Sequence, residues 1–173
     1  QASNDEATPL WMACQEGHSK IVEMLLAVDG IQVNQANNEE TTPLWIACQE
    51  GHSKIVRMLL AAEGIEVNQA NDEEVTPLWI ACQEGHSKVV KMLLAVDDIQ
   101  VNQADEEGTS PLYTACQEGH SKVVKMLLAV AGIQANQAND EGYTPFMIGV
   151  SHSRTAIVIL LLQRGIGHTN ITE

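Results

Sequence analysis

Apolar and polar positions recur along this chain in a block of 34 residues. In the second block, apolar residues between positions 44 and 48, and again between 55 and 60, have the spacing of helix faces. A polar segment rich in Asn, Asp and Glu, residues 65–74, then leads into the next block. Each block therefore predicts two short helices followed by an extended loop, which we call the finger.

Capping and breaking residues stand where these helices should begin and end. Thr42 can cap the first helix, and Pro43 occupies its first position, where a missing N–H is harmless. Gly51 is placed to end that helix in the left-handed conformation. Ser53 can cap the second helix, and Gly64 can end it.

The period is exact in several motifs. Thr-Pro-Leu or a close variant begins at residues 8, 42, 76, 110 and 144, and CQEGHSK begins at residues 14, 48, 82 and 116. Five times 34 accounts for 170 of the 173 residues. We therefore predict one array with repeats at about 3–36, 37–70, 71–104, 105–138 and 139–173, the last of them divergent.

The unit resembles the ankyrin repeat, whose signature is Thr-Pro-Leu-His-x-Ala within a turn and two helices. The matching residues here run from Thr42 through Ala47, followed by Gly51-His52 and Gly64, and the resemblance covers the whole chain. It implies an all-α ankyrin solenoid with finger loops, acting as a protein-interaction module and not as an enzyme. One departure is that Glu40 and Glu74 stand at the turn glycine of the finger, where a positive φ would strain them.

The fifth repeat departs from the others. Gly149-Val150 replaces Ala-Cys, Ser153-Arg154 replaces Gly-His, and Ile159 stands where other copies carry charge. A polar cap would be expected at a true end of the array. We therefore expect apolar ends, as in a fragment of a longer array or a chain whose ends are incompletely capped.

Composition narrows the function classes. The chain has 23 acidic and nine basic residues, a formal net charge of −14, which opposes nucleic-acid binding. No apolar run approaches the roughly 18 to 20 residues of a membrane span, so no membrane partner is expected. No cofactor or catalytic motif is visible. The four cysteines share one repeat position and are predicted to be buried free thiols. Free thiols and the lack of a visible signal peptide favour an intracellular location, in the cytoplasm.

Charge is divided between the two parts of the repeat. Sixteen acidic residues lie on the finger tips and first helices, and all nine Lys and Arg lie at or beyond the turn into the second helix. The ankyrin resemblance implies that fingers and first helices line a concave groove, which would then be acidic and suit a basic peptide or protein surface. The candidate groove residues are Glu39, Thr41, Gln49, Glu50, Asp72, Glu73, Val75, Gln83, Glu84, Glu106, Glu107, Thr109, Gln117, Glu118, Asp140, Glu141 and Tyr143.

Other interpretations remain open at this point. Acidic surface can serve solubility alone. Near-identical copies with apolar ends could stack end to end as a structural or engineered scaffold. Acidic fingers could hold a divalent cation, and the Cys14–His18 pair could be catalytic, although Gly17 breaks the helix between them. The tryptophans at repeat spacing could stack a ligand, but covering the joint between finger and helix is the favoured role.

Overall fold

The computed structural model describes residues 7–167, and this part of the chain forms ten helices in five consecutive pairs. The helices are α1 Pro9–Gln15, α2 Ser19–Leu26, α3 Pro43–Gln49, α4 Ser53–Leu59, α5 Pro77–Gln83, α6 Ser87–Leu93, α7 Pro111–Glu118, α8 Ser121–Leu127, α9 Pro145–Ser151 and α10 Thr155–Gln163. None of them is long and apolar enough to cross a membrane. The predicted all-α repeat architecture is confirmed. The outer limits of the first and fifth predicted repeats lie outside the described residues.

Each first helix begins at the Thr-Pro signal. The Thr42 hydroxyl accepts a hydrogen bond from the Trp45 N–H at 3.1 Å, and Pro43 is the first helical residue. Gly51 follows the helix with a φ of 69°, as the left-handed ending requires. The prediction that Ser53 caps the second helix was wrong. His52 occupies the cap position without a side-chain capping bond, and Ser53 is the first helical residue.

The helices form two layers. Each first helix packs on the first helix of the next repeat, and each second helix packs on the next second helix. One continuous hydrophobic core lies between the layers and recurs at the repeat spacing, with residues such as Leu44, Cys48 and Leu59 fully buried. Helices of seven to nine residues are too short to be stable alone in water. Stability therefore comes from stacking each repeat on its neighbours.

An asparagine links the bases of adjacent fingers. Asn34 Nδ2 donates to the Gly64 carbonyl at 2.7 Å, and Asn34 Oδ1 accepts from the Glu66 N–H at 3.0 Å. Asn68 and Asn102 make the same pair of bonds one and two repeats further on. The recurring Asn-Gln-Ala motif thus holds neighbouring repeats at a set spacing.

A histidine and a glycine meet at each junction between the first four repeats. His52 Nε2 lies 3.0 Å from the Gln15 carbonyl of the preceding repeat, and because a carbonyl only accepts, that nitrogen must carry the proton. The imidazole lies against Gly17, where an added Cβ would be 2.8 Å from the ring. At the last junction Arg154 takes the histidine's place and donates from Nε to the Gln117 carbonyl at 2.8 Å.

Both ends of the array expose apolar side chains, as the sequence predicts. Met12 is 50% exposed, whereas Ile46, its equivalent one repeat later, is 4% exposed. At the other end Val150 is 52% exposed, whereas Cys116, its equivalent one repeat earlier, is fully buried. A neighbouring repeat covers these positions inside the array, whereas within residues 7–167 no further repeat lies against Met12 or Val150.

Candidate functional site: the concave groove

The fingers that follow α2, α4, α6 and α8 line one side of the candidate groove and keep the same backbone turn. Asn37 Oδ1 accepts hydrogen bonds from the backbone N–H groups of Glu39 and Thr41, at 3.2 and 2.9 Å. The expected positive φ is present, with Glu40 at 56° and Glu74 at 61°. Since glycine at the equivalent positions of later fingers also has positive φ, the glutamates accept some strain to keep the turn.

Adjacent fingers are also joined directly. The Asp72 N–H donates to the Glu39 carbonyl at 3.3 Å, and the Glu106 N–H donates to the Glu73 carbonyl at 3.2 Å. The next pair of fingers repeats this bond between the Asp140 N–H and the carbonyl oxygen of its neighbour. The acidic tips are therefore held at regular intervals along one edge of the groove.

Tryptophan side chains attach the fingers to the first helices. Trp45 Nε1 donates to the Val75 carbonyl at 2.9 Å, and Trp79 Nε1 donates to the Thr109 carbonyl at 2.7 Å. Trp11 Nε1 makes the corresponding bond to the Thr41 hydroxyl at 3.1 Å. Each indole is buried and reaches the finger of the following repeat. The favoured interpretation, that they cover the joint between finger and helix, agrees with these contacts.

A cavity of about 600 Å³ lies in the groove across the second, third and fourth repeats. Its lining joins α3 and α5 to the three fingers that follow α2, α4 and α6. The acidic lining residues are Glu39, Asp72, Glu73, Asp105, Glu106 and Glu107, and the other lining residues are Thr41, Trp45, Gln49, Asn71, Val75, Trp79, Ile80 and Gln83. The cavity lining therefore combines six acidic residues with two tryptophans and contains no basic residue.

The structure divides the predicted groove residues into two sets. Nine of them line this cavity: Glu39, Thr41, Gln49, Asp72, Glu73, Val75, Gln83, Glu106 and Glu107. The other eight lie outside its lining: Glu50, Glu84, Thr109, Gln117, Glu118, Asp140, Glu141 and Tyr143. Glu50 and Glu84 are the exposed cap residues that follow α3 and α5. Asp5 and Glu6, counted among the finger acids, lie outside the described residues.

Five lining residues were absent from the predicted set: Trp45, Asn71, Trp79, Ile80 and Asp105. The repeat spacing of the tryptophans was visible in the sequence, where packing at the joint between finger and helix was the favoured role and ligand stacking the alternative. Burial and cavity lining are compatible here, because Trp45 and Trp79 keep exposed fractions of 7 and 8%. Asn71 and Asp105 are the turn-forming residues of their fingers, equivalent to Asn37.

The field of the acidic fingers acts on a nearby tyrosine. Burial raises the pKa of the Tyr113 hydroxyl, and the negative charges of Glu141, Tyr143, Glu107 and Asp105 raise it further. A phenolate is disfavoured by the same field that would favour a cation.

The four cysteines lie deep in the core. All are buried, and burial raises the pKa of the Cys14 and Cys116 thiols to about 12. A thiol is nucleophilic as the thiolate, so these groups are unreactive at neutral pH. His18 is exposed, and its equivalents in the next three repeats bind backbone carbonyls. Within residues 7–167 no group of three or more His, Cys, Asp or Glu side chains is arranged to hold a metal ion.

Comparison with known families agrees with this architecture. The family model for ankyrin repeats (3 copies) matches residues 1–71, 63–139 and 98–172. The protein belongs to the ankyrin-repeat family, whose members are generally protein-interaction modules. A search of curated proteins gave no match.

Proposed function

We propose that the concave groove binds a basic peptide or a basic protein surface. The observation that carries the proposal is the cavity that six acidic residues from three consecutive fingers line together with Trp45 and Trp79. A Lys or Arg side chain has an alkyl stem that can pack on the tryptophans and a charged head for the carboxylates. The ankyrin fold accounts for a binding role, and the groove's charge accounts for the kind of partner.

The partner is expected to lie along the groove as an extended segment. The fingers are tied to one another by backbone bonds, so the acidic tips repeat at a constant spacing. A segment with several spaced cations would satisfy successive tips, and electrostatic attraction would raise its association rate. Exposed carboxylates such as Glu73 and Glu106 are accessible to salt, so the binding is expected to weaken as ionic strength rises.

The test compares two triple variants that remove the same charge. Glu73→Gln, Glu106→Gln and Glu107→Gln neutralise three of the six acidic residues of the cavity, whereas Glu23→Gln, Glu63→Gln and Asp97→Asn neutralise exposed acids on the side of the second helices. Binding of a labelled Lys/Arg-rich peptide of about ten residues is measured by anisotropy at low and physiological salt. We expect at least about tenfold weaker binding for the cavity variant and less than about threefold for the control.

The original candidates Glu50 and Glu84 supply a second arm of this experiment. Both are exposed and lie outside the cavity lining, so their charge reversal is expected to weaken binding less than the cavity variant does. Equal losses from the cavity triple and the control triple would mean that only net charge matters. Peptide affinity that is unchanged both in the cavity triple and in the Glu50 and Glu84 reversal would contradict the proposal.

End-to-end assembly is the alternative function for the same array. The exposed apolar side chains at the two ends, Met12 and Val150 among them, favour it. Solution mass that rises with protein concentration would distinguish assembly from groove binding by a monomer.

A further inference from the structure

The junctions inside the array depend on a missing side chain. At Gly51, an added Cβ would lie 2.6 Å from the His86 imidazole of the next repeat, closer than real Cβ atoms approach. The imidazole can occupy that place only because glycine leaves it open, and from there its Nε2 reaches the Gln49 carbonyl at 2.9 Å. The glycine of one repeat therefore leaves open the space that the histidine of the following repeat occupies.

The fifth repeat lacks this glycine. Ser153 lies 34 residues after Gly119 and shares its left-handed backbone, with a φ of 55°. Its Cβ must therefore occupy the space that the interior junctions leave for an imidazole. The preceding junction already differs from the interior ones. The Arg154 side chain lies about 3.1 Å from the position of an added Cβ at Gly119, farther than the histidines lie from the equivalent positions.

The opposite end keeps two helix groups that an interior junction uses. Ile21 is 47% exposed, whereas its equivalent Ile55 is 1% exposed because the first repeat covers it. His18 is exposed and stands at the position of His52, which binds the preceding Gln carbonyl. With Met12 in the place of Ile46, the described part of this face therefore resembles the faces that a repeat covers inside the array.

We propose that the two end faces of the array differ in which ankyrin repeat they can bind. The N-terminal face, formed by Met12, His18 and Ile21, accepts an ankyrin repeat that carries the Gln-Glu-Gly turn. The C-terminal face rejects a repeat that carries the matching histidine, because Ser153 fills the imidazole site. In-register stacking of two copies would bring His18 of one onto Ser153 of the other, so this proposal opposes end-to-end assembly, the alternative to groove binding.

Two extended versions of the full chain test this inference, which does not depend on the groove proposal. One carries a copy of residues 35–68 before residue 1, and the other carries a copy of residues 103–136 after residue 169 in place of residues 170–173. Both additions preserve the repeat register. Amide hydrogen exchange of the added helices and the urea midpoint of the whole chain are measured for each. We expect the N-terminal addition to be protected and to raise the midpoint, and the C-terminal addition to remain unprotected.

Substitutions at Ser153 separate the side chain from the other differences at that end. Ser153→Gly should increase protection of the C-terminal addition by at least about tenfold. It should leave the N-terminal addition unchanged. Ser153→Ala keeps a Cβ and should behave like serine. The unextended chain with each substitution gives the baseline, so the coupling between residue 153 and the added repeat is measured as a double-mutant cycle.

Three results would overturn this inference. A C-terminal addition that is as well protected as the N-terminal one, with Ser153 in place, would overturn it. So would an equal response to Ser153→Gly and Ser153→Ala, because the missing Cβ would then have no role. Poor protection of the N-terminal addition would overturn the other half, the claim that Met12, His18 and Ile21 form a competent docking face.

Discussion

The interior repeats and the terminal repeats use almost the same side chains with different results. Ile46 is buried, while Met12 at the same position of the first repeat is half-exposed, and the second helix shows the same contrast between Leu59 and Leu25. The difference lies in the presence of a neighbour, because no single repeat can cover both of its own faces. Burial in this protein is therefore a property of junctions more than of individual repeats.

The largest effect is expected from pH, acting on the column of thiols that the interior shares. Burial holds the Cys14 and Cys116 pKa at about 12, and the Cys48 and Cys82 pKa are also raised. Between about pH 9 and 12 the unfolded chain releases thiol protons that the folded chain retains, so the free energy of unfolding falls as pH rises. At pH 10 the loss is about 1.4 kcal/mol per thiol relative to pH 8.

Urea unfolding at pH 8 and pH 10 checks this prediction. Cys82→Ala removes one of the four buried thiols and should reduce the dependence on pH by about a quarter. The position has Val150 as its equivalent in the fifth repeat, so that repeat contributes no thiol. A free energy of unfolding that is the same at both pH values would show that the thiols are exposed to solvent in the native state.

Truncating equivalent leucines compares the core of an interior repeat with that of the first. Leu59 is fully buried, and Leu59→Ala should lower the free energy of unfolding by about 2–5 kcal/mol, because it removes apolar contacts and leaves a cavity. Leu25 is only half-buried, so Leu25→Ala should lower it by less than half as much. Equal losses in chemical denaturation would mean that the first repeat is as well covered as the second.

Glycine substitutions distinguish a junction from a simple turn. Gly51→Ala introduces both a positive-φ alanine and a collision with His86, whereas Gly64→Ala introduces only the φ cost, since nothing lies within 4 Å. We expect about 1 kcal/mol of destabilisation for Gly64→Ala. Gly51→Ala should be destabilised by at least about 1 kcal/mol more. If the two variants lower the thermal unfolding midpoint equally, the junction tolerates a Cβ, and the Cβ of Ser153 would not exclude an imidazole.

The smallest effect concerns the last junction, where an arginine takes the place of histidine. Arg154→His should leave the stability within about 0.5 kcal/mol, because the imidazole can donate to the Gln117 carbonyl and Gly119 leaves room for it. Arg154→Ala removes the donor and should destabilise the chain by about 1 kcal/mol. A larger loss for histidine than for alanine in denaturant titrations would mean that this junction differs in shape from the others.

The acidic residues of the cavity recur at the repeat spacing, so the sequence alone could single them out. Glu39, Asp72 and Glu106 are finger acids that line the cavity. Glu50 and Glu84 were predicted by the same periodicity; they are the cap residues after α3 and α5 and do not belong to the cavity lining. Helical spacing indicates which residues share a face, but it does not indicate how far along the helix the groove extends.

The sequence by itself determined the repeat, the helix starts at Thr-Pro, the left-handed turns and the division of charge. These are local properties, set by backbone sterics, capping and periodicity. Only the tertiary structure decided the roles of His52, Asn34 and Trp45, because each makes its hydrogen bonds to a neighbouring repeat. A buried donor must find an acceptor, and in a solenoid that acceptor lies about one repeat away, where the stacking geometry and not the local sequence places it.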